Sequence, residues 1–371
     1  MPLRICHIIT TIDLGGAEKQ LLVLASSQRA EGAEVEIIFL KGLPALKSAF
    51  IGIGIDVNMD YQGLSFWKQL LKLKSKELDK SMVFHAHLPR AELLCSLALP
   101  KETFVVTRHN AENFYPGAPR AISIVLSKFV TRRAFATVSI SKAVLSYLES
   151  SREVHKFGIN EVIYYGLENT EIVLPTKKRI KESNFHIGTV SRLVPQKNLP
   201  LLFEALSSIK SDVEGSLTLS IAGEGPLKQY LEELAENLEI RSSITWLGKV
   251  GNIESFYKNI DLFVFPSNYE GFGLVLLEAM SYGLPIIARR ISAIPEVLGQ
   301  DHPGLVSSDS SKEFGEKILE FSKNAKLREL CISYQKEQLR YFSISKSQKQ
   351  HNKIYKNMLM KRDWRETNEK D

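Results

Sequence analysis

The sequence predicts an α/β protein of two doubly wound parallel-sheet units, and three observations lead there. Short apolar runs alternate with helical patterns over residues 4–139, and the alternation restarts over residues 185–288. Between the two series the chain turns polar and basic, with Pro175, Lys177, Lys178, Arg179 and Lys181 marking an exposed connector. A chain of 371 residues is also long for one core and suits two domains of ordinary size.

In order, Arg4 to Ile9 reads as a buried strand and Gly16 to Ala30 as the helix after it. Val35 to Phe39, Ile53 to Val57, Met82 to Ala86, Thr103 to Thr107 and Ala136 to Ser139 continue the first series of strands. Phe185 to Val190 opens the second, followed by Leu217 to Ala222, Ile244 to Leu247, Leu262 to Phe265 and Pro285 to Ala288. The expected boundaries are therefore 1–165 for the first unit, 166–184 for the connector and 185–342 for the second unit. Residues 343–360 have helical spacing, with Ile344, Ile354, Tyr355, Met358 and Leu359 among lysines and glutamines, and the polar residues 361–371 are expected to fray.

A hydrophobic fraction of 44% with 24% charged residues excludes disordered and fibrous classes. No run of about eighteen apolar residues occurs, and the N-terminus enters a strand at once, so a cytoplasmic location is expected. Cys6, Cys95 and Cys331 are widely spaced and odd in number, which points to buried apolar fillers and not to a disulfide framework or zinc site. The net charge of +6 is unevenly placed, because residues 65–133 carry twelve basic and five acidic side chains. Within that span Ser65 to Lys76 reads as a helix with leucines on one side, lysines on the other, and Phe66 and Trp67 at its start. Such a helix suits either peripheral contact with an anionic membrane surface or an ordinary solvated surface. No nucleic-acid module accompanies the charge, so nucleic acid is not an expected partner.

The most informative stretch is Ser267 to Glu278. An apolar strand, Ile260 to Phe265, leads into a turn hinged by Gly271 and Gly273, and the amides of Phe272, Gly273, Leu274 and Val275 open a helix. A helix start of this kind can hold an anion or a ring of hydroxyls. Glu270 sits in the turn and Glu278 farther into the helix, so both can face one crevice at the carboxyl end of the strand. This glutamate pair, in its Phe-Gly context and followed by Ala279 to Pro285, resembles the signature of family 4 of the retaining glycosyltransferases. The resemblance extends over nearly the whole chain and implies the GT-B fold: two Rossmann-like domains facing each other across a cleft, with a terminal helix crossing back to the first.

Other residues match that resemblance. Arg192 and Lys197 follow the first strand of the second unit and can neutralise a leaving diphosphate, which the family's arginine and lysine do at this spacing. Ser191 stands where the family often has glycine. Gly15 and Gly16, between the first strand and helix, match the family's glycine-rich loop, where amides approach a phosphate or the acceptor. His109 is the histidine that the resemblance sets against the donor sugar, with His85 and His87 as rivals. Gly223-Glu224-Gly225-Pro226 matches a family turn, and Lys249 and Val250 lie in a segment resembling the one that borders the base.

The resemblance thus implies a hexosyl transfer, with retention, from a nucleoside diphosphate sugar to a glycan or lipid-linked acceptor of bacterial surface polysaccharide or lipopolysaccharide. A UDP-sugar is favoured over GDP-mannose. Glu278 would hold the ribose, Arg192 and Lys197 the diphosphate, and Glu270 the sugar hydroxyls. No Asp-x-Asp element occurs, so neither a metal nor another cofactor is expected. A nucleotide-sugar epimerase or a catalytically silent binding module could use the same fold. A dinucleotide-dependent dehydrogenase does not fit, because Gly15-Gly16-Ala17 departs from Gly-x-Gly-x-x-Gly.

Overall fold

A computed structural model of the chain describes residues 2–75, 81–115, 117–172, 184–213 and 215–368. The connector markers Pro175, Lys177, Lys178, Arg179 and Lys181, and Lys76 of the basic helix, lie outside the described residues. The chain divides into two compact units, Met1–Glu168 with Phe342–Asp371, and Asn169–Tyr341.

The first unit runs β1 (Arg4–Ile9), α1 (Gly16–Ala30), β2 (Glu34–Phe39), α2 (Lys47–Gly52), β3 (Asp56–Asn58), α3 (Phe66–Ser75), β4 (Met82–His87), α4 (Pro89–Ala98), β5 (Phe104–Arg108), α5 (Arg120–Arg133), β6 (Ala136–Ser139), α6 (Lys142–Ser150) and β7 (Ile159–Val162). The second runs β8 (Asn184–Val190), α7 (Leu199–Ile209), β9 (Ser216–Ala222), α8 (Lys228–Asn237), β10 (Ile244–Gly248), α9 (Ile253–Lys258), β11 (Leu262–Phe265), α10 (Leu274–Ser281), β12 (Ile286–Arg289), α11 (Ile294–Leu298), β13 (Leu305–Val306), α12 (Ser311–Lys323) and α13 (Ala325–Leu339). A final helix, α14 (Ile344–Asn368), returns to the first unit and packs on α1. All pairings between these strands are parallel, in the orders β3-β2-β1-β4-β5-β6-β7 and β10-β9-β8-β11-β12-β13. The fold is therefore two doubly wound α/β sheets.

Strand alternation sorts the first core into two faces. Cys6, Ile8, Phe84, Ala86, Phe104 and Val106 point toward a layer holding residues of α3, α4 and α5. Ile5, Val83 and Val105 point the other way, against Tyr355 and Met358 of α14. In the second unit α7 is apolar nearly all round because it lies between the sheet and α12. A Cβ on Gly315 of α12 would stand 2.8 Å from the Ala205 carbonyl, so that helix pair needs a glycine to approach this closely. The three cysteines are buried and form no disulfide.

Three expectations are corrected. The strand expected over Ile53 to Val57 begins only at Asp56, because Gly54 turns the chain at φ 72° after α2. The residues from 361 onward do not fray at once: α14 continues to Asn368, with Lys361 held to Glu102 at 2.7 Å and lying over the Phe135 ring. On α3, Phe66 packs against the core under Arg90 and Lys72 pairs with Asp60 at 3.1 Å, which leaves Trp67 and Leu71 as its exposed apolar residues. No described helix is long and apolar enough to cross a membrane.

Six buried histidines make acid stability a test of this packing. Burial pushes His7 and His351 down to about 4, His109 and His302 down to about 3, and His85 and His87 well below their usual range. Their stabilising contribution is complete above about pH 6.5 and is lost as pH falls toward 4, by up to about 1.4 kcal/mol per pH unit for each histidine. Glu92 and Glu153 work in the opposite direction, since burial raises both, but they are two carboxyls against six imidazoles. Urea unfolding at pH 7.5 and 5.5 should show a clearly lower midpoint at pH 5.5; equal midpoints would contradict the neutral, buried histidines.

Candidate functional site

In the second unit strand order reverses at β8, which lies between β9 and β11. Loops leaving the carboxyl ends of strands at such a reversal diverge and leave a crevice. The loop after β8 is pinned by the Ser191 amide to the Ala222 carbonyl (2.9 Å) and the Leu193 amide to the Glu224 carbonyl (3.0 Å). It lies so close to the 223–226 turn that a Cβ on Gly223 would stand 1.9 Å from the Ser191 oxygen, and one on Gly225 2.4 Å from that of Leu193. Those two glycines therefore shape the loop that carries Arg192.

The loop after β11 is stitched to the first. The Asn268 amide donates to the Gln196 carbonyl (2.8 Å), and Gln196 Nε2 donates to the Tyr269 carbonyl (3.0 Å). Buried Arg289, at the end of β12, donates to Asn268 Oδ1 at 2.5 Å and also pairs with Asp309. Stitching brings Lys197 and Glu270 together: Nζ lies 2.5 Å from Oε1, with side-chain exposures of 13% and 9%, and 5.2 Å above the Phe265 ring. The Ser292 hydroxyl donates to the Glu270 carbonyl at 2.7 Å, from a residue held at φ 53°.

Gly273 caps α10 at φ 94°, so the amides of Leu274 and Val275 lie in a first turn that offers no helical partner. Phe272 beside them is buried. Glu278, on the same helix, accepts from the Tyr257 hydroxyl at 2.8 Å. Burial first, then the neighbouring carboxylate, raise Tyr257 well above its usual range, so it stays a donor. Its ring stacks on Tyr282 at 5.2 Å. Arg192 is exposed and forms no ion pair with any described residue. Lys249 is exposed, while Val250 lines a cleft of about 420 Å³ with His186, Ser220, Asn252 and Phe256.

The sequence suggested Lys197 as a cation free to meet a phosphate. The structure shows it already neutralised by Glu270, so one of the two must be released or shared when an anion arrives. Sequence reasoning also missed Tyr257, Gln196, Asn268, Arg289 and Ser292. None sits at a motif spacing, and each acts through a contact made only on folding.

In the first unit Gly15 caps α1, and Thr11 Oγ1 donates to Glu18 Oε1 at 2.7 Å. A Cβ on Gly15 would stand 2.2 Å from Glu18 Oε2. The glycine thus makes room for a carboxylate, and the loop holding Gly15 and Gly16, where a phosphate or the acceptor was expected, has Glu18 folded into it. His109 follows β5 and is buried, with Nε2 3.2 Å from His87 Nδ1 and Nδ1 bonded to the Tyr165 hydroxyl. His85 and His87 lie deeper.

Comparison with known proteins decides the family. Residues 14–168 match Glycosyltransferase Family 4, and residues 172–338 match Glycosyl transferases group 1. The chain belongs to glycosyltransferase family 4. It is 26% identical over 234 residues to N-acetyl-alpha-D-glucosaminyl L-malate synthase of Bacillus anthracis, covering 60% of each chain. It is 35% identical over 126 residues to a GDP-mannose-dependent alpha-(1-6)-phosphatidylinositol monomannoside mannosyltransferase of Mycobacterium tuberculosis, covering 32% of each. The chain thus spans less than two thirds of the length of these curated relatives. Among solved structures, Anabaena HepE in complex with UDP and glucose superposes with a TM-score of 0.76 at 19% identity, over 95% of this chain and 98% of that one, which shows the GT-B fold.

A double-mutant cycle tests the Lys197–Glu270 pair. Lys197→Met and Glu270→Gln should each lower stability by on the order of 2 kcal/mol, and their combination should cost less than the sum by about 1 kcal/mol or more. Strict additivity in denaturant unfolding would show that the pair is not formed.

Proposed function

We propose that the protein transfers a hexosyl unit from a nucleoside diphosphate sugar, with retention, to a glycan or lipid-linked acceptor used in bacterial surface polysaccharide. The observation that carries this reading is the Lys197–Glu270 pair at the strand-order reversal, with Arg192 exposed on the same loop. Negative charge grows on the leaving diphosphate as the glycosidic bond breaks, and a mobile ammonium beside a planar guanidinium stabilises it. As Lys197 shifts toward phosphate, Glu270 is released to accept from sugar hydroxyls, together with the first-turn amides of α10. Glu278, oriented by Tyr257, takes the ribose hydroxyls. The departing phosphate serves as base on the same face of the sugar, so no enzyme nucleophile is required.

A UDP-sugar is the favoured donor. The match to a GDP-mannose-dependent relative supports GDP-mannose as the second reading. The phosphatidylinositol monomannoside in that relative's name and the exposed Trp67 and Leu71 of α3 support a lipid-linked acceptor reached by peripheral membrane contact from the cytoplasm.

Release of product from UDP- and GDP-sugars, with lipid extract and excess EDTA, tests the proposal. Transfer should persist under chelation, because Arg192 and Lys197 supply the charge. Arg192→Ala and Lys197→Ala should lower turnover by about tenfold or more, while Glu278→Ala chiefly weakens donor binding. Activity abolished by EDTA and restored by manganese would overturn the metal-free mechanism. Parent-like turnover in both cation variants would overturn the diphosphate assignment.

A further inference from the structure

The first unit buries a chain of imidazoles at its own strand-order reversal. His7 on β1 pairs in register with His85 on β4, and Thr107 on β5 with His87. Strand alternation therefore puts His7, His85, His87 and Thr107 on one face. His7 Nε2 lies 2.8 Å from Gln28 Oε1 on α1, and His7 Nδ1 lies 3.0 Å from His87 Nε2. His87 Nδ1 lies 3.2 Å from His109 Nε2, and His109 Nδ1 is bonded to the Tyr165 hydroxyl.

A neutral imidazole has one donor and one acceptor nitrogen. Three of them in series can be satisfied in only two ways, with every N–H pointing inward along the chain or every N–H pointing outward, and the end group chooses between them. Gln28 Oε1 accepts, so it requires hydrogen on His7 Nε2, then on His87 Nε2, then on His109 Nε2. Tyr165 completes the series by donating to His109 Nδ1.

We propose that Gln28, His7 and His87 are positioning residues for His109, fixing its ring orientation and its Nε2–H tautomer through one head-to-tail hydrogen-bond chain ending at Tyr165. The functional consequence rests on the reading that His109 meets the donor sugar. Both of its ring nitrogens are taken up by the chain, so it would meet the sugar as a neutral ring whose orientation is fixed before the donor arrives.

A metal is the competing occupant, since ring nitrogens of His7, His85 and His87 lie within 4.8 Å of one another. The contacts favour the chain. His85 is bonded through Nδ1 to the Tyr355 hydroxyl (2.6 Å) and through Nε2 to Thr107 Oγ1 (2.7 Å), so all six ring nitrogens of the three histidines are already engaged. The His85 and His87 rings also pack on each other, tilted by 38° with centroids 4.1 Å apart.

Long-range proton–nitrogen NMR of protein labelled with ¹⁵N-histidine tests the proposal. The parent should show the Nε2–H form at His7, His87 and His109. Gln28→Met should turn the distant His109 into a tautomer mixture and lower turnover by about tenfold with little change in donor KM. Tyr165→Phe should leave the tautomer unchanged. An Nδ1–H form at any of the three in the parent, a His109 signal indifferent to Gln28→Met, or a zinc ion binding stoichiometrically and shifting the His7 and His87 signals would each overturn it. Since the parent spectrum alone can decide, a variant that fails to fold does not shield the idea. Donor titration of the parent separates the two claims: a His109 signal unmoved by the sugar nucleotide refutes the contact with the donor, while the expected tautomers uphold the chain.

Discussion

Strand order is the constraint on which the rest depends. When neighbouring parallel strands send their connections in opposite directions, the loops at their carboxyl ends cannot close over one another. Both sheets have one such point, at β1 and at β8. Beside each crevice lie buried polar groups that are costly unless they find partners. In the second unit they are Lys197 and Glu270, and in the first they are the histidines near β1, β4 and β5.

The two crevices meet that cost differently. The second matches a cation to an anion at 2.5 Å and braces both loops with Gln196, Asn268 and Arg289. A pair like this can be opened by a charged ligand, because each partner has something else to bind. The first uses neutral rings that satisfy one another in series, which no charged ligand is needed to complete. Charge neutralisation suits a site where charge changes during reaction, whereas a neutral chain suits a site whose polarity must stay fixed.

Much of this was legible in the sequence. Apolar runs located most strands because a parallel sheet covered on both faces needs them. Edge strands β7 and β13 were missed, being short and, in β7, half exposed. The glutamates, arginine and lysine were singled out because they follow strand ends in segments that resemble the family's motifs. Their pairing was not, because 73 residues separate Lys197 from Glu270 and only the sheet order brings them together. The imidazole chain was hidden for the same reason: its members come from four strand regions and a helix, and only strand register and the packing of α1 bring them together.

The central claim, that Lys197 leaves Glu270 to hold a diphosphate, is most directly tested by calorimetric binding of a nucleoside diphosphate and the matching monophosphate to the parent and to Lys197→Met. The account predicts that the diphosphate binds the parent more tightly, that the variant loses most of that advantage, and that monophosphate affinity barely changes. An advantage of equal size in both proteins would contradict it.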